Sequence, residues 1–172
     1  ARFCGPKTPE DQGPATPELQ KATDGDFYTP EGTIGAMDLE NDWESCIHVG
    51  QGWSYRGEDG FKGPEECIKM LVSCTTGGGN LLLNFGPRPD GTFAEGEAAV
   101  ARAAGEWLKT YGDAIYGTRS GPYNNGAWGG SCHKGTKMYL HVYEWTDGAV
   151  AFDPLPRKVL AARALNGQPA TF

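Results

Sequence analysis

The apolar positions fall into two patterns along the first two thirds of the chain. Leu81-Leu82-Leu83-Asn84-Phe85 is a short, nearly continuous apolar run, with Gly77 to Gly79 before it and Gly86, Pro87, Pro89 and Gly91 after it. A run of that length fenced by turn residues predicts a strand buried on both faces. On either side the spacing changes to a helical one. Ile68, Leu71 and Val72 form a stripe after Pro64, which suits a first helical position, and Glu65 and Glu66 suit the positive end of a helix dipole. Val100, Ala103, Ala104, Trp107, Leu108 and Tyr111 recur on one face of a second helix. Thr92 followed by Glu95 predicts a capping box for it, and Gly112 an αL cap. Ile47 and Val49 alternate with Cys46 and His48, so a short strand is expected after Glu44. Helix, buried strand, helix in that order predicts a parallel sheet covered by helices. The turn Arg88-Pro89-Asp90-Gly91 then leaves the carboxyl end of the buried strand, where such folds carry their sites.

After Tyr111 the pattern shortens. Residues 115–116, 138–145, 149–152 and 159–164 read as short strands, with Thr146-Asp147-Gly148 as a hairpin turn. These predict the start of an antiparallel β domain. At the other end, Pro6, Pro9, Pro14 and Pro17 break any helix or central strand, so residues 4–24 read as loop.

The remaining composition mainly excludes. The 172 residues suffice for one core or parts of two. The net charge is −7, without a basic cluster, which argues against nucleic acid and anionic membranes as partners. No apolar run approaches the roughly 18 residues of a membrane span. The chain opens Ala1-Arg2-Phe3-Cys4 without a signal-peptide pattern, as if cut from something longer. Cys4, Cys46, Cys67, Cys74 and Cys132 contain no Cys-x-x-Cys, and His48, His133 and His141 are scattered, so no metal site is expected. Cys67 and Cys74 lie two turns apart on one helix face, too far to bond each other, and read as buried apolar side chains. Gly77-Gly78-Gly79 precedes a strand, whereas phosphate-binding glycines follow one.

Two stretches place a carboxylate among aromatics: Gly25-Asp26-Phe27-Tyr28-Thr29-Pro30-Glu31, and Trp43-Glu44-Ser45-Cys46 followed by Trp53-Ser54-Tyr55. Two more complete a series, Gly78 to Pro87 with Asp90-Gly91, and Trp107-Leu108 followed by Gly112 to Arg119. In this order and spacing the motifs resemble the α-L-fucosidases of glycoside hydrolase family 29.

That resemblance implies an α/β chain: the C-terminal part of a (β/α)8-like barrel (residues 1–112), then an antiparallel β-sandwich segment (113–172), incomplete at both ends. It implies a retaining glycosidase that releases α-L-fucose from glycans without a cofactor, in a secreted or lysosome-like setting. Its acid/base glutamate corresponds to Glu31 in one part of the family and to Glu44 in another, and both stay open. Arg2 matches an arginine that contacts the sugar, and Trp53 and Tyr55, facing one way if extended, are the further candidates for substrate binding. The family's nucleophile motif, Trp-x-Asp-Gly, does not occur ahead of the motifs quoted, where the resemblance places it, and neither do its upstream histidine segments; the same pattern at Trp145-Thr146-Asp147-Gly148 follows those motifs and lies in the stretch read as a hairpin turn. The chain is therefore expected to need the N-terminal part of the same enzyme as its partner. The alternative is a non-catalytic carbohydrate-binding or structural module. Trp107 is then expected in the core, and Trp128, in the loop 124–130, as the exposed ring.

Overall fold

The computed structural model describes residues 26–145 and 148–168. Strands β1 (Glu44–His48) and β2 (Asn80–Asn84) pair in parallel, with Glu44 opposite Asn80 and His48 opposite Asn84. The helix α1 (Pro64–Gly77) is the crossover between them, with Pro64 in its first turn as the sequence predicts. On the other edge of β1 an extended stretch continues the parallel arrangement, bridging Tyr28 to Trp43 and Glu31 to Cys46. A second helix, α2 (Glu95–Tyr111), follows β2 and packs against α1.

Alternation along β1 divides its side chains between two faces. Val49 meets Cys67 and Val100 in a core completed by Phe61, Leu83 and Phe85, so odd-numbered positions of both strands face the helices. Glu44, Cys46 and His48, with their partners Asn80, Leu82 and Asn84, therefore occupy the opposite face. Trp43 is the largest side chain at the base of the helix-facing layer, only 2% exposed. Its indole lies against Gly77 and Gly79, where a Cβ on Gly79 would collide with the ring. Gly78, at φ 91°, supplies the left-handed cap that turns α1 into β2.

From Gly112 the chain builds a separate sheet. A 3₁₀ turn, η1 (Gly112–Ala114), leads into β3 (Arg119–Ser120), β4 (Gly129–Lys134) and β5 (Lys137–Val142), antiparallel in that order. Ala114, Cys132 and Tyr139 form its core, with Leu165 against them. The sheet sits on α1. Ser120 Oγ donates to the Thr76 carbonyl, and the Tyr143 hydroxyl donates to the Lys69 carbonyl at 3.2 Å. That hydroxyl has one proton, so Ser73 Oγ, 2.8 Å away, is the donor to it.

Several expectations are corrected. β2 is half-exposed along Leu81 to Asn84 instead of buried on both faces, because helices cover only one of them. Thr92 does not cap α2: its N–H and hydroxyl both bond the Asp90 carboxylate, so the helix begins at Glu95 after Ala94. Gly112 is right-handed, at φ −59°, since the helix tightens into η1. Ile115 and Tyr116 donate to the Gly112 carbonyl and are a turn, not a strand. Residues 149–152 and 159–164 form no strand, for no described strand lies alongside to pair with them. The Thr146-Asp147-Gly148 hairpin falls partly outside the described residues.

Cys67 and Cys74 are buried free thiols on α1, as the sequence predicts, and burial pushes the Cys74 thiol up to about 12. Among the described residues no helix is long and apolar enough to cross a membrane.

Because Trp43 fills the space between α1 and both flanking glycines, its removal leaves a cavity that the backbone cannot close. Trp43→Ala is expected to lower stability by about 3–5 kcal/mol, read as a reduced urea midpoint at unchanged slope.

Candidate active site

The face of the parallel sheet away from the helices gathers the polar side chains that the sequence singles out. Tyr28 lies opposite Trp43 and Glu31 opposite Cys46, a constant register in which paired residues share a face. Glu31 and Glu44 are thus on the same face. They stand on neighbouring strands, about 4.8 Å apart across the sheet and offset by two residues, about 6.6 Å, along it. Glu44 marks the amino-terminal end of β1, and Glu31 lies nearer the carboxyl ends. Glu31 is half-buried and bonded within its surroundings. Arg2 falls outside the described residues.

Two loops leave the carboxyl ends, 49–63 from β1 and 85–94 from β2. Trp53 and Tyr55 lie on the first, but the extended stretch that would make them face one way is absent there, because the chain bends through residues 51–54. Trp53 is 42% exposed, and its ring meets the His48 imidazole edge-on, centroids 5.1 Å apart. Its carbonyl accepts from Asn84 Nδ2 at 3.0 Å. The Tyr55 hydroxyl is instead committed to Glu58 Oε1, at 2.5 Å.

Glu58 is the centre of a clamp between the two loops. Arg88 donates to both its oxygens, Nε at 2.7 Å and Nη2 at 2.5 Å, in the bidentate geometry that suits guanidinium and carboxylate. The remaining Arg88 nitrogen bonds Thr92 Oγ1 and the Phe93 carbonyl. Hydrogen bonds from Arg88 and then Tyr55 hold the Glu58 carboxyl down at about 2, and the bond to Glu58 raises the Tyr55 phenol. Beneath the clamp, Glu97 from the first turns of α2 is only 3% exposed. Its Oε1 accepts the Gly86 N–H at 3.0 Å. Gly50, on the first loop, lies beside the same carboxylate, where a Cβ would stand in ordinary contact with Oε1 at 3.5 Å.

The arrangement missed from the sequence is this set of supports. His48, Asn84, Glu58, Arg88 and Glu97 come together only through the parallel register. The alternation of His48 with Val49 was the one signal that could have assigned His48 to the polar face. Among the other aromatic expectations, Trp107 is half-buried and meets the Tyr111 ring at a tilt of 36°, centroids 5.0 Å apart. Trp128 is half-buried between its own bond to the Asn124 carbonyl and the Phe152 ring, and Trp145, 65% exposed, is more open than either it or Trp53. Among the described residues no group of His, Cys, Asp and Glu could hold a metal ion.

Comparison with known proteins points in one direction. The family model described as alpha-L-fucosidase matches residues 14–113. The human plasma alpha-L-fucosidase is 33% identical over 162 residues, which is 86% of this chain and 35% of that protein. Among solved structures, alpha-L-fucosidase isoenzyme 1 from Paenibacillus thiaminolyticus superposes with a TM-score of 0.64 at 33% identity, covering 69% of this chain and 30% of its own. A family 29 alpha-L-fucosidase from Bacteroides thetaiotaomicron, trapped as a covalent intermediate, gives 0.64 at 30% identity, over 71% of this chain and 30% of its own. The chain spans about a third of the length of the curated relatives it matches.

The clamp has a pH signature of definite sign. The Glu58 carboxyl lies near 2 when folded, against an ordinary 4.5, so folding favours its ionised form. Its contribution is complete above about pH 4.5 and shrinks as the pH falls toward 2. Glu58→Gln should therefore be less stable than wild type by a constant margin above pH 4.5, and the margin should narrow below it. Urea midpoints of both proteins between pH 7 and pH 3 check this.

Proposed function

The chain belongs to the alpha-L-fucosidase family, and on that premise we propose that it forms one side of the active site of a retaining α-L-fucosidase. The observation that carries the reading is the common face of the parallel sheet, on which a half-buried glutamate, Glu31, stands nearer the carboxyl ends of the strands than Glu44, with an exposed tryptophan, Trp53, against His48 at the end of β1. Barrel enzymes do their chemistry at those ends. In this reading residues 1–112 are the C-terminal part of a (β/α)8-like barrel and 113–172 the beginning of a β-sandwich.

Retention requires two carboxyl groups about 5–5.5 Å apart. One attacks the anomeric carbon, and the other protonates the departing oxygen. The second then takes a proton from the water that cleaves the glycosyl ester. Glu31 is assigned to this second role. Glu44 is the weaker candidate, being at the amino-terminal end of β1, where barrel residues serve stability more often than chemistry. The attacking aspartate belongs to the upstream part of the same enzyme, which is the partner that completes the pocket. The covalent intermediate trapped in the Bacteroides relative supports double displacement.

Arg2 and Trp53 are proposed to contact the sugar. Tyr55, whose hydroxyl is engaged by Glu58, is proposed to hold the loop that carries Trp53. The substrate class is a terminal α-L-fucoside on a glycan, and relatives named as plasma enzymes fit a secreted or lysosome-like setting.

The test compares Glu31→Gln and Glu44→Gln in the complete enzyme. Glu31→Gln is expected to lose roughly 10²–10⁴-fold in rate on a fucoside with a poor leaving group. Azide should rescue it on an activated aryl fucoside, giving fucosyl azide. Glu44→Gln should show no azide rescue. Rescue at Glu44 alone would reverse the assignment, and rescue at neither position would remove both.

A further inference from the structure

The mouthward end of the same face carries a pair of hydrogen-bond acceptors that the reaction above does not use. His48 and Asn84 are register partners at the ends of β1 and β2, on the face shared with Glu31. Each has one polar atom tied back to the protein. His48 Nδ1 bonds the Gly50 carbonyl at 2.6 Å. A carbonyl can only accept, so Nδ1 carries a proton, and Nε2 is the ring's acceptor whenever the ring is neutral. Asn84 Nδ2 bonds the Trp53 carbonyl at 3.0 Å, and the same logic fixes Asn84 Oδ1 as the outward atom. Neither Nε2 nor Oδ1 has a hydrogen-bond partner among the described residues. The two strands that carry them run about 4.8 Å apart. Next to them is the Trp53 ring, held edge-on by the imidazole and partly open to solvent.

Two fixed acceptors beside an aromatic face suit a sugar, whose hydroxyls donate and whose C–H face packs on a ring. Their height decides which sugar. His48 lies two residues beyond the level of Glu31, about 6.6 Å nearer the carboxyl ends. The group that leaves toward the mouth is the one whose oxygen the acid protonates. We propose that His48 and Asn84 bind hydroxyls of the sugar from which fucose is released, and so set the enzyme's preference for glycans over simple fucosides. This inference rests on the fucosidase reading and on Glu31 as its acid.

The experiment measures kcat/KM in the complete enzyme for a fucosyl disaccharide and for an aryl fucoside, whose leaving group has no sugar hydroxyls. His48→Phe retains a ring against Trp53 and deletes the acceptor. The ratio of disaccharide to aryl kcat/KM is expected to fall about threefold to tenfold, the scale of one neutral hydrogen bond. The fall should be expressed mainly in KM. His48→Gln, which can return an acceptor oxygen to the same region, should restore the ratio in part, and it stands in should the phenylalanine variant not fold. An unchanged ratio in both variants overturns the inference while leaving the fucosidase reading intact. A wild-type enzyme that cleaves neither substrate overturns both.

Discussion

A parallel register between short strands is the constraint on which the molecule depends. With Glu44 opposite Asn80 and His48 opposite Asn84, every even-numbered side chain of β1 and β2 falls on one face and every odd-numbered one on the other. A slip of one residue would send Ile47, Val49 and Leu83 away from the helices and bring the polar side chains into the core. The apolar set behind the sheet, Val49 with Cys67 and Val100, therefore fixes the polar set in front of it. Packing on one side of the sheet is what aims the chemistry on the other.

The loops above the sheet are held by charge and hydrogen bonds more than by burial. Arg88 and Glu58 are thirty residues apart and partly exposed, and their pairing is bidentate. A pair so open to solvent adds little to global stability. Its effect is geometric: it joins the segment carrying Trp53 to the turn after β2. Glu97 does the complementary work from below, receiving the Gly86 amide in a site too tight for any side chain larger than glycine to enter without displacement. A carboxylate bonded to a backbone N–H and enclosed by the two loops can shift only if both of them move.

The sequence made the elements and the face legible, and left the supports hidden. Pro64, the glycines at 77–79 and the apolar run after them announced a crossover helix feeding a parallel strand, because those signals are local. The alternation around Cys46 was enough to place a strand after Glu44. What failed was anything decided by tertiary competition. Thr92 has the residues of a capping box, but Asp90 claims its donors first. Glu97 reads as one more acid at a helix start, and nothing nearby in sequence reveals that it is enclosed by two loops. Residues 149–152 and 159–164 have strand-like composition, yet a strand needs a neighbour, and composition is silent about neighbours. The motif series did carry the family, since it samples both sides of the register at once.

The Tyr143 hydroxyl links the two halves of this chain. It accepts a hydrogen bond from Ser73 and donates one to the Lys69 carbonyl, so the first residue beyond β5 is fastened to the helix that backs β1 and β2. The antiparallel sheet is in that sense a buttress that reaches the parallel wall through α1. Natural variation in its strands should then be felt in β1 and β2 through that helix, and a survey confined to the polar face would miss its origin.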